Sequence, residues 1–130
     1  MISLVELQRR IDAGDLSPDA AIAQSLEVIR VQDKTIGAFV RHTDHLAAAR
    51  AGPLRGIAVG IKDIMDAADF PTEMGSPIYR GFQPRGDAAV VMMLKQAGAS
   101  IVGKTATTAF ASMDPTPTLN PHNHGHTPGG

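Results

Sequence analysis

Gly52-Pro53-Leu54-Arg55-Gly56-Ile57-Ala58-Val59-Gly60-Ile61-Lys62-Asp63-Ile64-Met65-Asp66 opens on a turn pair, runs through a short apolar strand and ends on a lysine. Alternation along a strand puts Ile57, Val59 and Ile61 on one face and Ala58, Gly60 and Lys62 on the other. The first face is bulky. The second is bare until Lys62, which leaves space for another group to approach the amine. Taken alone, the same stretch also describes a strand that exits into water with Lys62 hydrated, because buried lysines are rare.

The residues that follow decide what that strand belongs to. Residues 66–84 carry Pro71, Gly75, Pro77, Gly81 and Pro84 and read as a loop. Asp87 reads as the cap of a helix whose Val90, Leu94 and Ala97 share a face, and Gly98 ends it. Residues 100–103 are a short apolar strand. Strand, loop, helix and strand over 57–103 make a βαβ unit, which predicts a parallel sheet and a right-handed crossover.

Upstream, Ser3 with Glu6 is a capping box, Leu4, Leu7 and Ile11 share a helical face, and Gly14 can end that helix. Ser17-Pro18-Asp19 is a second start signal, and Ile22, Leu26 and Ile29 predict a helix over 18–33. Residues 36–41 read as a strand and the alanine-rich 43–50 as a helix, broken at Gly52-Pro53. The fold class is therefore α/β. Parallel strands need cover on both faces, and about three strands make a small sheet. The chain reads as the front part of a larger α/β domain, with sheet edges expected to need their other half.

Length and composition narrow the function. The 130 residues, 43% of them apolar, suffice for one core, and the net charge of −1 is spread along the chain. That argues against a nucleic-acid or anionic-membrane partner. With no cysteine there is no disulfide framework, thiolate metal site or cysteine nucleophile. The N-terminus lacks a basic region followed by an apolar core. No apolar run approaches the roughly 18 residues of a membrane span. The expectation is a soluble cytoplasmic chain.

Three chemistries have candidate residues. Gly98-Ala99-Ser100-Ile101-Val102-Gly103-Lys104-Thr105 matches the phosphate-loop pattern, which makes a nucleotide-binding domain one alternative function; a non-enzymatic structural fragment is the other. A phosphate loop needs a strand before the first glycine and a helix after the lysine, whereas here a helix precedes and β-branched residues fill the loop. His122, His124 and His126 alternate in a Pro- and Gly-rich tail, 114–130, and three imidazoles can hold zinc or nickel; without a fourth ligand they read as loop histidines. Lys62 stands at the carboxyl end of its strand, where α/β folds place their sites. A lysine acts as a base when desolvation lowers its pKa, and it then needs a hydroxyl to activate. Thr105, Thr107, Thr108 and Ser112 are the hydroxyls nearby in sequence, but none sits in a nucleophile-like turn.

The residues from Pro53 onward resemble the amidase signature family. Residues 52–63 are similar to its lysine motif, and Thr72-Glu73-Met74-Gly75-Ser76 to its T-x-x-G-S segment. Asp87-Ala88, Leu94, Ala97-Gly98-Ala99 and Gly103-Lys104-Thr105 follow in the family's order. Phe110-Ala111 fits the family's next element, and Asn120-Pro121 and Pro128-Gly129-Gly130 match the lead into its serine-rich signature. Within the family the chain most resembles the bacterial malonamidase branch.

The resemblance implies the N-terminal part of the amidase-signature fold, a mixed, largely parallel sheet covered by helices on both faces and incomplete in this chain. It implies a Ser–cis-Ser–Lys triad that hydrolyses a small amide such as malonamate and releases ammonia, with no cofactor or metal. The whole enzyme is then expected to be a homodimer without nucleic-acid or membrane partners. Lys62 falls on the catalytic lysine. Both serines fall beyond Gly130, so these residues alone are expected to be inactive. The space over Ala58 and Gly60 is where the bridging serine is expected. One departure is Ala109, where many relatives carry an acid before Phe110.

Overall fold

The computed structural model describes residues 2–129. Ser3 Oγ accepts from the Glu6 N–H at 3.2 Å and starts α1 (Leu4–Asp12). The box closes on that side only, because the Glu6 carboxylate pairs with Arg9 at 2.8 Å. Ser17 Oγ accepts from the Ala20 N–H at 3.1 Å and starts α2 (Pro18–Ile36).

This helix runs past the predicted end at 33 and stops at Gly37, whose φ is 64°. The Asp33 carboxylate accepts from the Ala38 N–H at 2.6 Å and the Phe39 N–H at 3.2 Å, turning the chain into β1 (Phe39–His42). The strand predicted at 36–41 therefore begins later.

The helix predicted at 43–50 does not form. Eight residues are too few to hold a helix without packing. Instead the Thr43 N–H bonds Val102 O at 2.9 Å, and the Ala48 N–H bonds the Asp19 carboxylate at 2.8 Å.

The predicted βαβ unit is present as β2 (Ala58–Lys62), α3 (Ala89–Gln96) and β3 (Ser100–Thr105). β3 is the middle strand, parallel to β2 from Ala58↔Ser100 to Lys62↔Thr105 and antiparallel to β1. The register shifts between Val59 and Gly60, so Val102 has no partner in β2. Asp87 does not cap α3, whose N-cap Ala88 makes no side-chain bond. The Asp87 carboxylate accepts from the Ala68 N–H at 2.7 Å and pairs with Lys95 at 2.8 Å, tying the loop after β2 to α3.

A helix covers each face of the sheet. Ile22 and Leu26 of α2 pack on Val102, with Phe39 and Ala58 beside them. Val91 of α3 packs on Ile61, Ala67 and Ile101. Ile11, Leu16, Ala21 and Ile57 form a third cluster under α1. Ile22 and Val91 are fully buried, each contributing about 1.5–3 kcal/mol. No helix among the described residues is long and apolar enough to cross a membrane.

Candidate active site

β2 carries Lys62 to the sheet's carboxyl edge as its last residue. There it lines an open cleft of about 540 Å³ with Thr105, Thr107, Ser112, Thr118 and Pro128. Lys62 is exposed, and no hydrogen bond or ion pair engages its amine among the described residues. Desolvation, the condition for a lysine base, is not supplied by the groups around it here.

The space expected over Ala58 and Gly60 is largely taken. Ala58 packs in the α2 cluster. A Cβ at Gly60 would meet Thr105 Cγ2 at 2.8 Å and the Phe39 ring at 3.1 Å. The helix-covered face closes over the strand, and the opening lies at Lys62 itself.

The tail that forms the far wall is pinned to the fold. Thr118 Oγ1 donates to Gly37 O at 2.7 Å, and the Leu119 N–H donates to Ile36 O at 2.8 Å. Beyond it, Asn120 Oδ1 accepts from the His122 N–H at 2.9 Å, and Asn123 Oδ1 accepts from the Gly125 N–H at 3.0 Å. Exposed His122, His124 and His126 belong to these turns. Among the described residues no three His, Asp or Glu side chains converge as metal ligands.

The buried lysine is Lys104, which the sequence presents within the phosphate-loop match and the family's Gly-Lys-Thr landmark but gives no role in the site. It is 0% exposed, with Nζ 2.9 Å from Asp63 Oδ1, 2.7 Å from Thr72 Oγ1 and 3.3 Å from Pro71 O. The Asp63 contact is an ion pair, and Asp63 Oδ1 has no other partner. Asp63 Oδ2 accepts from the Glu73 N–H at 3.2 Å. The Asp63 backbone donates to Thr105 O and accepts from the Met74 N–H, both at 2.9 Å.

This network joins the end of β2, the T-x-x-G-S segment and β3. It also steadies strained backbone. Met74, Phe110 and Ala111 have φ of 55°, 52° and 55°. Such residues cost about 1–3 kcal/mol each and persist where the surroundings fix them. The Phe110 N–H donates to Met74 O at 2.9 Å, and the Phe110 and Tyr79 rings meet edge to face at 5.9 Å. The signal for the network is a lysine inside an otherwise apolar strand, opposite an aspartate directly after another strand.

The phosphate-loop alternative fails on this geometry. Gly98 closes the helix end at φ 90°, residues 100–105 form the central strand, and among the described residues no α-helix follows Lys104, only a three-residue 3-10 turn at Ala109–Ala111. Gly103 is small because β1 crosses it: a Cβ there would lie 2.8 Å from His42 Cα and run into the Arg41 carbonyl.

A sequence model of the amidase family matches residues 20–130. The chain is 37% identical to a glutamyl-tRNA(Gln) amidotransferase subunit of Rhodopirellula baltica, over 98% of its own length and 30% of the relative's. It is 34% identical to an amidase of Pseudomonas putida, again over 98% of this chain and 30% of that one. The crystal structure of the corresponding glutamyl-tRNA(Gln) amidotransferase subunit from Thermotoga maritima superposes with a TM-score of 0.77 at 28% identity, covering 100% of this chain and 31% of that one. The chain thus spans about a third of the length of these proteins. With the lysine at the end of β2 and a match running from α2 through the tail, the chain belongs to the amidase family.

Proposed function

We propose that the protein carrying these residues hydrolyses a small linear amide through a Ser–cis-Ser–Lys relay, with Lys62 as its base. The observation that carries this reading is the place of Lys62, alone at the carboxyl end of β2 on the wall of the cleft, within the matched span.

The neutral Lys62 amine takes a proton from a bridging serine, which takes one from the nucleophilic serine. The nucleophile attacks the amide carbon, the amide nitrogen takes that proton back through the relay and leaves as ammonia as the C–N bond breaks, and water then hydrolyses the acyl ester to the free acid and restores the serine. Both serines come from outside the 130 residues, and their arrival supplies the desolvation that the exposed Lys62 lacks. Malonamate or a similar small amide is the substrate class, no cofactor takes part, and the working enzyme is a cytoplasmic homodimer.

A second reading rests on the relatives named as amidotransferase subunits. In it the ammonia passes to an acceptor held by a partner chain rather than to water.

The test is ammonia release by the natural full-length protein from malonamate and, separately, from glutamine. Release from malonamate that falls at least about a hundredfold in Lys62→Ala, with the fold retained, supports the first reading. Glutamine-dependent release that needs a partner protein supports the second. Activity retained in Lys62→Ala rejects Lys62 as base.

A further inference from the structure

A carboxylate directly beside a lysine base is a hazard. Within a few ångströms it favours the ammonium form, and an ammonium cannot accept a proton. Asp63 is that carboxylate, one residue after Lys62. Yet the side chains part at the strand end: Lys62 lines the cleft, whereas Asp63 is 1% exposed and turned under the loop. What meets Asp63 there is the Lys104 amine at 2.9 Å.

We infer that Lys104 is a positioning residue, the counter-ion that holds the Asp63 carboxylate away from Lys62 so that Lys62 presents an unpaired amine to the cleft. This rests on the reading of Lys62 as base. Every other contact of the group agrees with it. Thr72 Oγ1 and Pro71 O fill the remaining acceptor positions around Lys104 Nζ, and the Glu73 N–H holds the second Asp63 oxygen. Among the other charged groups of the loop, Asp66 lies three residues on from Asp63, with a buried Oδ1 that no hydrogen bond engages. Glu73 accepts from the Gly81 N–H at 2.7 Å and faces Arg41 at 3.5 Å. Exposed Asp114 is the one further titratable group on the cleft wall among the described residues.

A buried ion pair is weak evidence for stability, since well-packed apolar residues often serve as well. A role in keeping two charges apart gives this pair a purpose that packing does not.

The test reads Lys62 directly, in the natural full-length protein. Its lysines are reductively methylated with a 13C label, the Lys62 signal is assigned by its loss in Lys62→Arg, and its shift is followed against pH. Lys104→Gln keeps a donor toward Asp63 but removes the charge, so the Lys62 midpoint is expected to rise by about one unit. Asp63→Asn leaves the Lys104 cation without its partner, and the midpoint is expected to fall. The double variant D63N/K104Q is expected to return it to within a few tenths of the starting value. Folding of each variant is checked by circular dichroism, and because the two single changes move the midpoint in opposite directions, either one that folds decides.

A midpoint unmoved in the folded variants overturns the inference and makes the pair purely structural. The measurement needs no substrate. Opposite shifts without ammonia release from malonamate uphold the counter-ion role while rejecting that substrate.

Discussion

Lys104 sits beside Ile61 in the parallel ladder, and Lys62 sits beside Thr105, so two lysines stand on adjacent strands one ladder step apart. Their surroundings separate them. Lys104 finds a carboxylate, a hydroxyl and a carbonyl within 3.3 Å, which permits its burial. Lys62 faces the cleft. The residue next to Lys104 is as constrained as Lys104 itself. Gly103→Ala places a methyl against the backbone of β1, where neither strand can yield without breaking ladder bonds. It is expected to destabilise the fold by about 1–3 kcal/mol, seen as a lower urea midpoint at unchanged slope. That glycine was legible as part of a motif but not for its reason, since the strand that crosses it lies far earlier in the sequence.

At the scale of elements, Lys95 of α3 holds the loop after β2 through Asp69 at 2.6 Å and Asp87 at 2.8 Å. The Lys95 hydrogen bond, and then the Ala68 N–H, hold the Asp87 carboxyl below its ordinary 3.8. Burial pulls Lys95 down, but its hydrogen bonds to the two aspartates outweigh that and keep the amine above its ordinary 10.5. Asp87 therefore contributes stability that is present above pH 3.8 and lost as pH falls through its lower folded value. Lys95 contributes stability that is present below pH 10.5 and lost as pH rises through its higher one. Lys95→Met is expected to lower Tm most between those limits and least at the acid end, which thermal melts across pH would show. A difference that stayed constant into acid would count against the cluster. The N-caps at Ser3 and Ser17 and the strand-helix-strand order of the βαβ unit were legible in the sequence, because each element announces itself by capping or periodicity over a few residues. The 43–50 stretch misleads because alanine content speaks only for local propensity, and here Asp19 and Val102 claim its backbone.

Across the whole molecule, large apolar side chains remain on the surface: Met113 is 95% exposed, Ile78 81% and Met93 66%. Both β1 and β2 are edge strands. Apolar patches and open edges favour association. The 130 residues expressed alone are expected to self-associate, and light scattering that showed only monomer across a concentration series would refute this. The sequence by itself determined the α/β class, the parallel pairing of β2 with β3, the starts of α1 and α2 and the position of Lys62 at a strand end. These follow from short-range periodicity, capping and turn chemistry. Only the tertiary structure decided which lysine is buried, which carboxylate Lys104 meets, why Gly103 is small and which face over Gly60 is closed. Each of those depends on groups brought together from separate strands and loops, and a charge is buried or free according to the partner that folding brings to it.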